Sequence, residues 1–319
     1  MPDLPTSLGL AGSFAGVSAG ALIVAGGTNF PDAPPWKHGT KTWHDTAYVL
    51  TSPESKWQEG FKLPRPLAYG VSITIDRGLL CIGGCDDSQN YADVFLLEWN
   101  GQTVTHQSWP SLPKPTSCAA GALVGSRIFV AGGQSGPNPV TGPSHSLFYM
   151  LNLADESPHW RVLPTWPGPE RFYAVAGTDG RSFFLFSGIR RVLDKANKPT
   201  LEYLNDCYRF DPATEKWSRL TDLPHANAAV ASPAPFVQGC LLLLGRGADG
   251  VHVDRSLEHR AAFGREVLCY DVRTANWNTL APLPFGRAAV TAVPWRGAFV
   301  VASGEASPGV RSNQVWSVR

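Results

Sequence analysis

The sequence predicts an all-β chain, a six-bladed β-propeller, on three observations. A glycine doublet closes an apolar run at Ala25-Gly26-Gly27, Ile82-Gly83-Gly84 and Ala131-Gly132-Gly133, with eroded copies at Phe186-Ser187-Gly188, Leu244-Gly245-Arg246 and Ala302-Ser303-Gly304. The copies recur every 49 to 58 residues, a period that marks propellers, solenoids or arrays. The units also share a Leu-Pro corner near their start and a tryptophan near their end.

The elements of a unit follow from residue type. Leu63-Pro64, Leu112-Pro113, Leu223-Pro224 and Leu283-Pro284 are corners, because proline fixes φ and lacks the N–H that a ladder needs. A small-residue run follows, such as Ala68-Tyr69-Gly70-Val71-Ser72, and then the apolar strand that ends at the doublet. Glycine there permits a left-handed turn and close approach to a neighbour. After a variable gap comes a third strand: Tyr48-Val49-Leu50, Val94-Phe95-Leu96, Leu147-Phe148-Tyr149, Cys207-Tyr208-Arg209-Phe210, Leu268-Cys269-Tyr270 and Val315-Trp316-Ser317. A turn leads to Trp57, Trp160, Trp217 and Trp277, rings large enough to fill the wedge between blades. Four short strands bounded by Gly and Pro make one blade. The chain resembles the kelch-repeat superfamily over nearly its full length, which makes the expected fold a kelch-type propeller.

Six such units with no Ser/Gly linker between them predict one domain spanning residues 1–319. With 27 basic and 26 acidic residues and no block of like charge, nucleic-acid and membrane-surface binding find no support. No apolar run is long enough to span a bilayer. The start, Met1-Pro2-Asp3-Leu4-Pro5, has neither a basic n-region nor an apolar h-region. A cytoplasmic location is therefore expected, or a periplasmic one if a leader has been removed. Cys81, Cys85, Cys118, Cys207, Cys240 and Cys269 lie in or beside strands without metal-ligand spacing, so buried free thiols and a reducing compartment are expected. The last unit stops at its third strand, so its outer strand is expected to be short or missing.

Two loop sets open on one face of such a ring, from outer strand to next inner strand and from second strand to third. The gaps Thr28 to Thr46, Gln134 to Ser146, Ile189 to Asp206 and Gly247 to Val267 far exceed hairpin turns, and loops of that length are usually functional or disordered. They hold Asn29, Phe30, Trp36, Trp43, His44, Asp45, Tyr203, Asn205, His252 and His259, a set suited to a polar ligand with one apolar side. The corners carry Arg65, Lys114, Arg171, His225 and Arg287 at similar offsets, a basic ring that favours an anionic ligand at the channel mouth. The plainer alternative is that each cation pairs with a loop carboxylate or covers an aromatic ring.

The sixth unit differs. Its second strand runs into Ser303-Gly304-Glu305-Ala306-Ser307-Pro308-Gly309-Val310-Arg311, where a Pro-Gly turn returns Arg311 toward Glu305. The segment Ser303 to Val315 resembles the Gly-Glu-Ala-x-Pro-Gly-x-Arg signature of the bacterial N-acetylneuraminate epimerases, or sialic acid mutarotases. Phe14-Ala15-Gly16-Val17-Ser18 with Leu22 to Gly27, and Leu67-Ala68-Tyr69-Gly70-Val71-Ser72, resemble two further segments of that family. The Gly-Glu-Ala segment comes last here, so the chain is similar to a cyclically permuted branch.

The resemblance implies an isomerase that interconverts α and β anomers of N-acetylneuraminate without a cofactor. It makes Glu305 the proton acceptor and Arg311 the motif arginine. The residue types suit the reaction: a carboxylate is a competent base, and a guanidinium grips a carboxylate through two parallel bonds. Expected substrate contacts are Arg65, Arg171, Arg287, Asn29, His44, Tyr69 and Asn205. The acid that protonates the ring oxygen is left among His44, Tyr69, Tyr173 and water. The expected partner is a small acidic sugar, with a homodimer left open. The alternatives are a non-catalytic kelch interaction module and a mutarotase for another sugar. A sialidase would carry Asp-box turns, absent here, and a copper oxidase would need a clustered Tyr, Cys and His set.

Overall fold

A computed structural model describes residues 1–136, 142–250 and 262–319. Six antiparallel sheets stand around a channel, each entered by its innermost strand. The first blade is Phe14–Ser18, Ala21–Ala25, Thr46–Leu50 and Gln58–Lys62. The second is Val71–Ile75, Gly78–Ile82, Val94–Trp99 and Val104–Trp109. The third is Ala120–Val124, Arg127–Ala131, Phe148–Asn152 and Trp160–Val162. Long central strands distinguish the fourth: Val175–Thr178, Phe183–Leu193, Pro199–Asp211 and Lys216–Arg219. The fifth is Phe236–Val237, Cys240–Arg246, Gly264–Asp271 and Asn276–Leu280. The sixth has three strands among the described residues, Ala292–Trp295, Ala298–Ala302 and Val315–Val318. Among the described residues no helix is long and apolar enough to cross a membrane.

The apolar core is divided among the gaps between blades. One cluster joins Phe129, Phe148, Phe183 and Phe210 of the third and fourth blades. Another closes the ring, packing Val293, Trp295 and Val300 of the sixth blade on Leu22, Val24 and Leu50 of the first, with Leu4 and Leu10 against them. The outer tryptophans add a directional stitch. Trp57, Trp160, Trp217 and Trp277 donate their indole N–H to the carbonyls of Pro2, Pro110, Pro164 and Thr221, at 2.8–3.1 Å, on the segment preceding their own blade. Hydroxyls do similar work at the channel, where Ser72, Thr74 and Ser232 accept from the N–H groups of Ala15, Val17 and Ala176 on the preceding inner strand.

Just ahead of each inner strand the chain turns through one left-handed residue: Gly12, Tyr69, Cys118, Tyr173, Ala229 or Ala289, with φ between 53° and 69°. The N–H of each bonds to the carbonyl of the equivalent residue in the neighbouring blade, at 2.7–2.9 Å, from Gly12 round to Ala289 and back. Six backbone hydrogen bonds thus form a closed belt. The residue before each belt position bridges to the one after that blade's doublet, giving Ala11 with Thr28, Ala68 with Cys85, Ser117 with Gln134, Phe172 with Ile189, Ala228 with Ala248 and Ala288 with Glu305.

These bridges correct the reading of the fifth repeat. Its doublet is Arg246-Gly247, one residue later than Gly245-Arg246, because Gly245 is an inserted bulge with φ of +96°. At the eroded first positions, Ser187 and Ser303 also adopt left-handed φ, and their hydroxyls accept from the N–H groups of Asn227 and Leu10. The cysteine expectation is corrected too. Cys240 and Cys269, on paired strands with Cα atoms 5.6 Å apart, form a disulfide, while Cys81, Cys85, Cys118 and Cys207 are buried free thiols. The cysteines therefore give no support for a reducing compartment.

Candidate functional site

The basic corners resolve into a structural device. Arg65 pairs with Asp93 at 3.1 Å, Arg171 with Asp206 at 2.7 Å and His225 with Glu266 at 2.8 Å, where Asp93 immediately precedes the third strand of its blade and Asp206 and Glu266 lie within theirs. Arg171 is the extreme case: its side chain is fully enclosed, binds Asp206 through both terminal nitrogens, and also donates to the Ser187 carbonyl. Burial opposes ionisation of Asp206, but the bonds from Arg171 prevail and hold its carboxyl below the usual range. The expectation that Arg171 faces a ligand is therefore corrected, since a buried cation needs its counter-charge and Arg171 is committed to it. Arg65 is half-exposed, paired, and stacked 4.4 Å from the Tyr91 ring.

In the sixth blade the acid is replaced by Gln314. Arg287, also expected at the mouth, is buried and donates to Ser312 Oγ, Gln314 Oε1 and the Gly286 carbonyl. Asn205 is exposed and donates weakly to the Leu223 carbonyl at 3.4 Å, and nothing links it to Glu305. His252 and His259 lie outside the described residues.

Beside Arg287 the chain builds a two-stranded hairpin from Glu305–Ser307 and Val310–Arg311, in which Glu305 stands opposite Arg311. Glu305 is the one carboxylate among the six residues that follow a doublet, and its bridge to Ala288 fixes its backbone beside the belt. Arg311 Nη2 meets Glu305 Oε1 at 3.0 Å, Nε donates to the Thr28 carbonyl at 3.3 Å, and the guanidinium lies 4.6 Å from the Phe30 ring centre. Among the described residues the buried Nη1 has no hydrogen-bond partner. Burial disfavours this charge, yet Glu305 and Tyr69 outweigh it and raise the Arg311 pKa.

Tyr69, a belt residue, shares a 2.8 Å hydrogen bond with Thr28 Oγ1 and packs edge-on against Tyr173. Burial, with Cys118 and Tyr69 alongside, pushes Tyr173 well above the ordinary phenol value and keeps it neutral. Asn29 and His44 form a separate supporting pair, with His44 Nε2 2.8 Å from Asn29 Oδ1, so the ring donates there. Burial lowers the His44 pKa against the opposing pull of Asp45, and the imidazole is neutral near pH 7. Asn29 and Arg311 line a cavity of about 350 Å³ walled by Phe30, Pro31, Pro34 and Trp36. Among the described residues no group of three or more His, Cys, Asp or Glu is placed to hold a metal ion.

Two residues of the site lie outside the expected set, Thr28 at the start of the first long gap and Lys41 within it. Thr42–Trp43 pairs back onto Thr28–Asn29, which brings the Lys41 ammonium 4.4 Å from the Tyr69 ring centre and 4.8 Å from that of Trp43. The alternation Thr40-Lys41-Thr42-Trp43 was the available signal for that strand.

The family model described as N-acetylneuraminate epimerase matches residues 2–106 and 109–248. An N-acetylneuraminate epimerase of Haemophilus influenzae (strain PittEE) is 29% identical over 229 residues, 65% of this chain and 58% of that protein. One from Brucella melitensis is 25% identical over 254 residues, 71% of this chain and 63% of its own length. The chain thus matches less than two thirds of the length of these curated relatives. The solved structure of YjhT superposes with a TM-score of 0.70 at 15% identity, covering 99% of this chain and 96% of the other, a likeness of fold. The Glu305–Arg311 hairpin lies outside the stretch that the family model matches.

Two outcomes follow from this geometry. Arg171→Leu strands the Asp206 charge and should cost about 3–5 kcal/mol in urea unfolding, against less than about 1 kcal/mol for Arg65→Leu at the half-exposed pair. Equal losses would contradict the clasp. Burial, with Lys114 nearby, drops the pKa of His145 from 6.5 to about 4, and His44 is shifted the same way. A histidine depressed on folding contributes stability above its unfolded pKa that is lost on acidification. The urea midpoint should therefore fall as pH drops from about 6.5 toward about 4, and His145→Gln should flatten that slope.

Proposed function

The chain belongs to the N-acetylneuraminate epimerase family, and from that premise and the geometry of the sixth blade we propose that it interconverts the α and β anomers of N-acetylneuraminate. The observation that carries this reading is the Glu305–Arg311 pair, 3.0 Å apart on a short hairpin, with Arg311 Nη1 left unpartnered. Glu305 takes the proton of the anomeric hydroxyl. The bond from the anomeric carbon to the ring oxygen breaks as that oxygen is protonated. The open keto form then recloses on its other face, and the protons return. Arg311 receives the carboxylate borne on the anomeric carbon, using the donor edge that the protein leaves free.

Of the candidate acids, Tyr69 has the best support. Its hydroxyl is bonded to Thr28, which also accepts from Arg311, so phenol, base and guanidinium share one connected cluster. His44 is less suited, because its hydrogen bond joins it to Asn29 rather than to the cluster of Thr28, Glu305 and Arg311. Asn29 and the aromatic wall of Phe30 and Trp36 suit a sugar with polar and apolar edges. The late position of the Gly-Glu-Ala segment in the chain is what supports a permuted branch of the family.

Glu305→Gln should slow anomer exchange of freshly released N-acetylneuraminate by about 10²-fold or more in one-dimensional NMR, with the unfolding midpoint retained. Equal acceleration by mutant and wild type would remove Glu305 from the mechanism. Arg311→Lys should weaken substrate binding by about tenfold in calorimetry, because a point charge cannot reproduce the planar fork.

A further inference from the structure

Lys41 is a partly buried cation for which no carboxylate partner exists among the described residues. Its neighbours are the faces of Tyr69 and Trp43, and cation–π contact offsets only part of the cost of taking an ammonium out of water. Burial disfavours the Lys41 charge, but Tyr69 outweighs it and the pKa is raised; the site's own charges act as well, Arg311 repelling Lys41 and Glu305 attracting it. Arg311 already holds Glu305 at 3.0 Å. Two cations therefore share one carboxylate at the mouth, and the cluster is one negative charge short of balance. The adjoining hairpin adds to this imbalance, since Arg287 behind it has only neutral acceptors where three other blades provide an acid.

We propose that Lys41 is the residue that makes this site selective for a monoanionic sugar, its ammonium receiving the ligand's carboxylate together with Arg311. This rests on the function proposed above and names a determinant within it. Lys41 is suited to the role because, among the described residues, its three donors make no hydrogen bond to a protein acceptor beyond the Tyr69 phenol, and because the two aromatic faces restrict where the ammonium can lie. The site is thereby organised before the ligand arrives, and a neutral sugar leaves the excess charge uncompensated.

The test compares wild type, Lys41→Met and Lys41→Arg in calorimetric binding of N-acetylneuraminate and of its neutral methyl ester, with NMR anomer exchange followed in parallel. Lys41→Met should weaken binding of the acid by about tenfold or more while changing the ester by less than about twofold, and Lys41→Arg should keep acid affinity within about threefold. A Lys41→Met protein that binds the acid as wild type does overturns the proposal. So does one that loses acid and ester equally while Lys41→Arg fares no better, which would mark Lys41 as a merely structural prop. Binding of neither compound by the wild type also overturns it. Failure of the catalytic reading looks different: the wild type would then bind the acid through Lys41 without accelerating anomer exchange.

Discussion

The structure depends on a belt of six backbone hydrogen bonds that runs from blade to blade around the channel. Each member must take a left-handed conformation, which costs a non-glycine residue roughly 1–2 kcal/mol, and five of the six are not glycine. The cost is tolerated because each belt residue satisfies both its neighbours, and because the closed circuit allows no single blade to slip. The belt also fixes the level of everything next to it. The six residues after the doublets bridge to the residues just ahead of the belt, so their side chains form one layer at the channel mouth. Thr28 and Glu305 belong to that layer, Tyr69 belongs to the belt, and a site built from them inherits the rigidity of the ring.

Within that frame the chain uses its arginines in two different ways. At two corners they are structural, Arg65 and Arg171 each clasping an acid of the same blade, and the enclosed Arg171–Asp206 pair is the limiting case. A buried cation with a matched carboxylate is inert toward solutes. Arg311 differs because Glu305 and Thr28 occupy only part of its donor edge, and Phe30 covers one face without consuming a hydrogen bond. Replacement of the clasp acid by Gln314 in the same blade leaves the local field positive. The sixth repeat thus lacks a stabilising ion pair beside the residues best suited to chemistry.

The aromatic residues divide along the same line. Outer tryptophans and the phenylalanines between blades bury apolar area and join neighbouring sheets, work that any member of a repeat family must do. Phe30, Trp36 and Trp43 sit instead in the long gap after the first doublet, where they wall a cavity or cover the Lys41 ammonium. A loop that folds back as the short pair Thr28–Asn29 and Thr42–Trp43 supplies both a polar floor and an apolar wall from one stretch of chain.

Much was legible along the chain: the repeat, the strand order within a blade and the turn that returns Arg311 to Glu305. These depend on local chemistry: apolar runs, proline corners, and glycine where φ must be positive. Which cations have donors to spare became visible once the blades were assembled. Arg171, Arg287 and Arg311 look alike along the chain, and they differ in what lies across from them: an acid, two neutral acceptors, and a carboxylate that leaves one edge open. The same holds for Cys240 with Cys269, for the one-residue bulge at Gly245, and for Lys41 over Tyr69. Each depends on register or on contact between blades. Arg311 reaches Thr28 across 283 residues of chain, a distance over which sequence spacing carries no geometric information until the ring has closed.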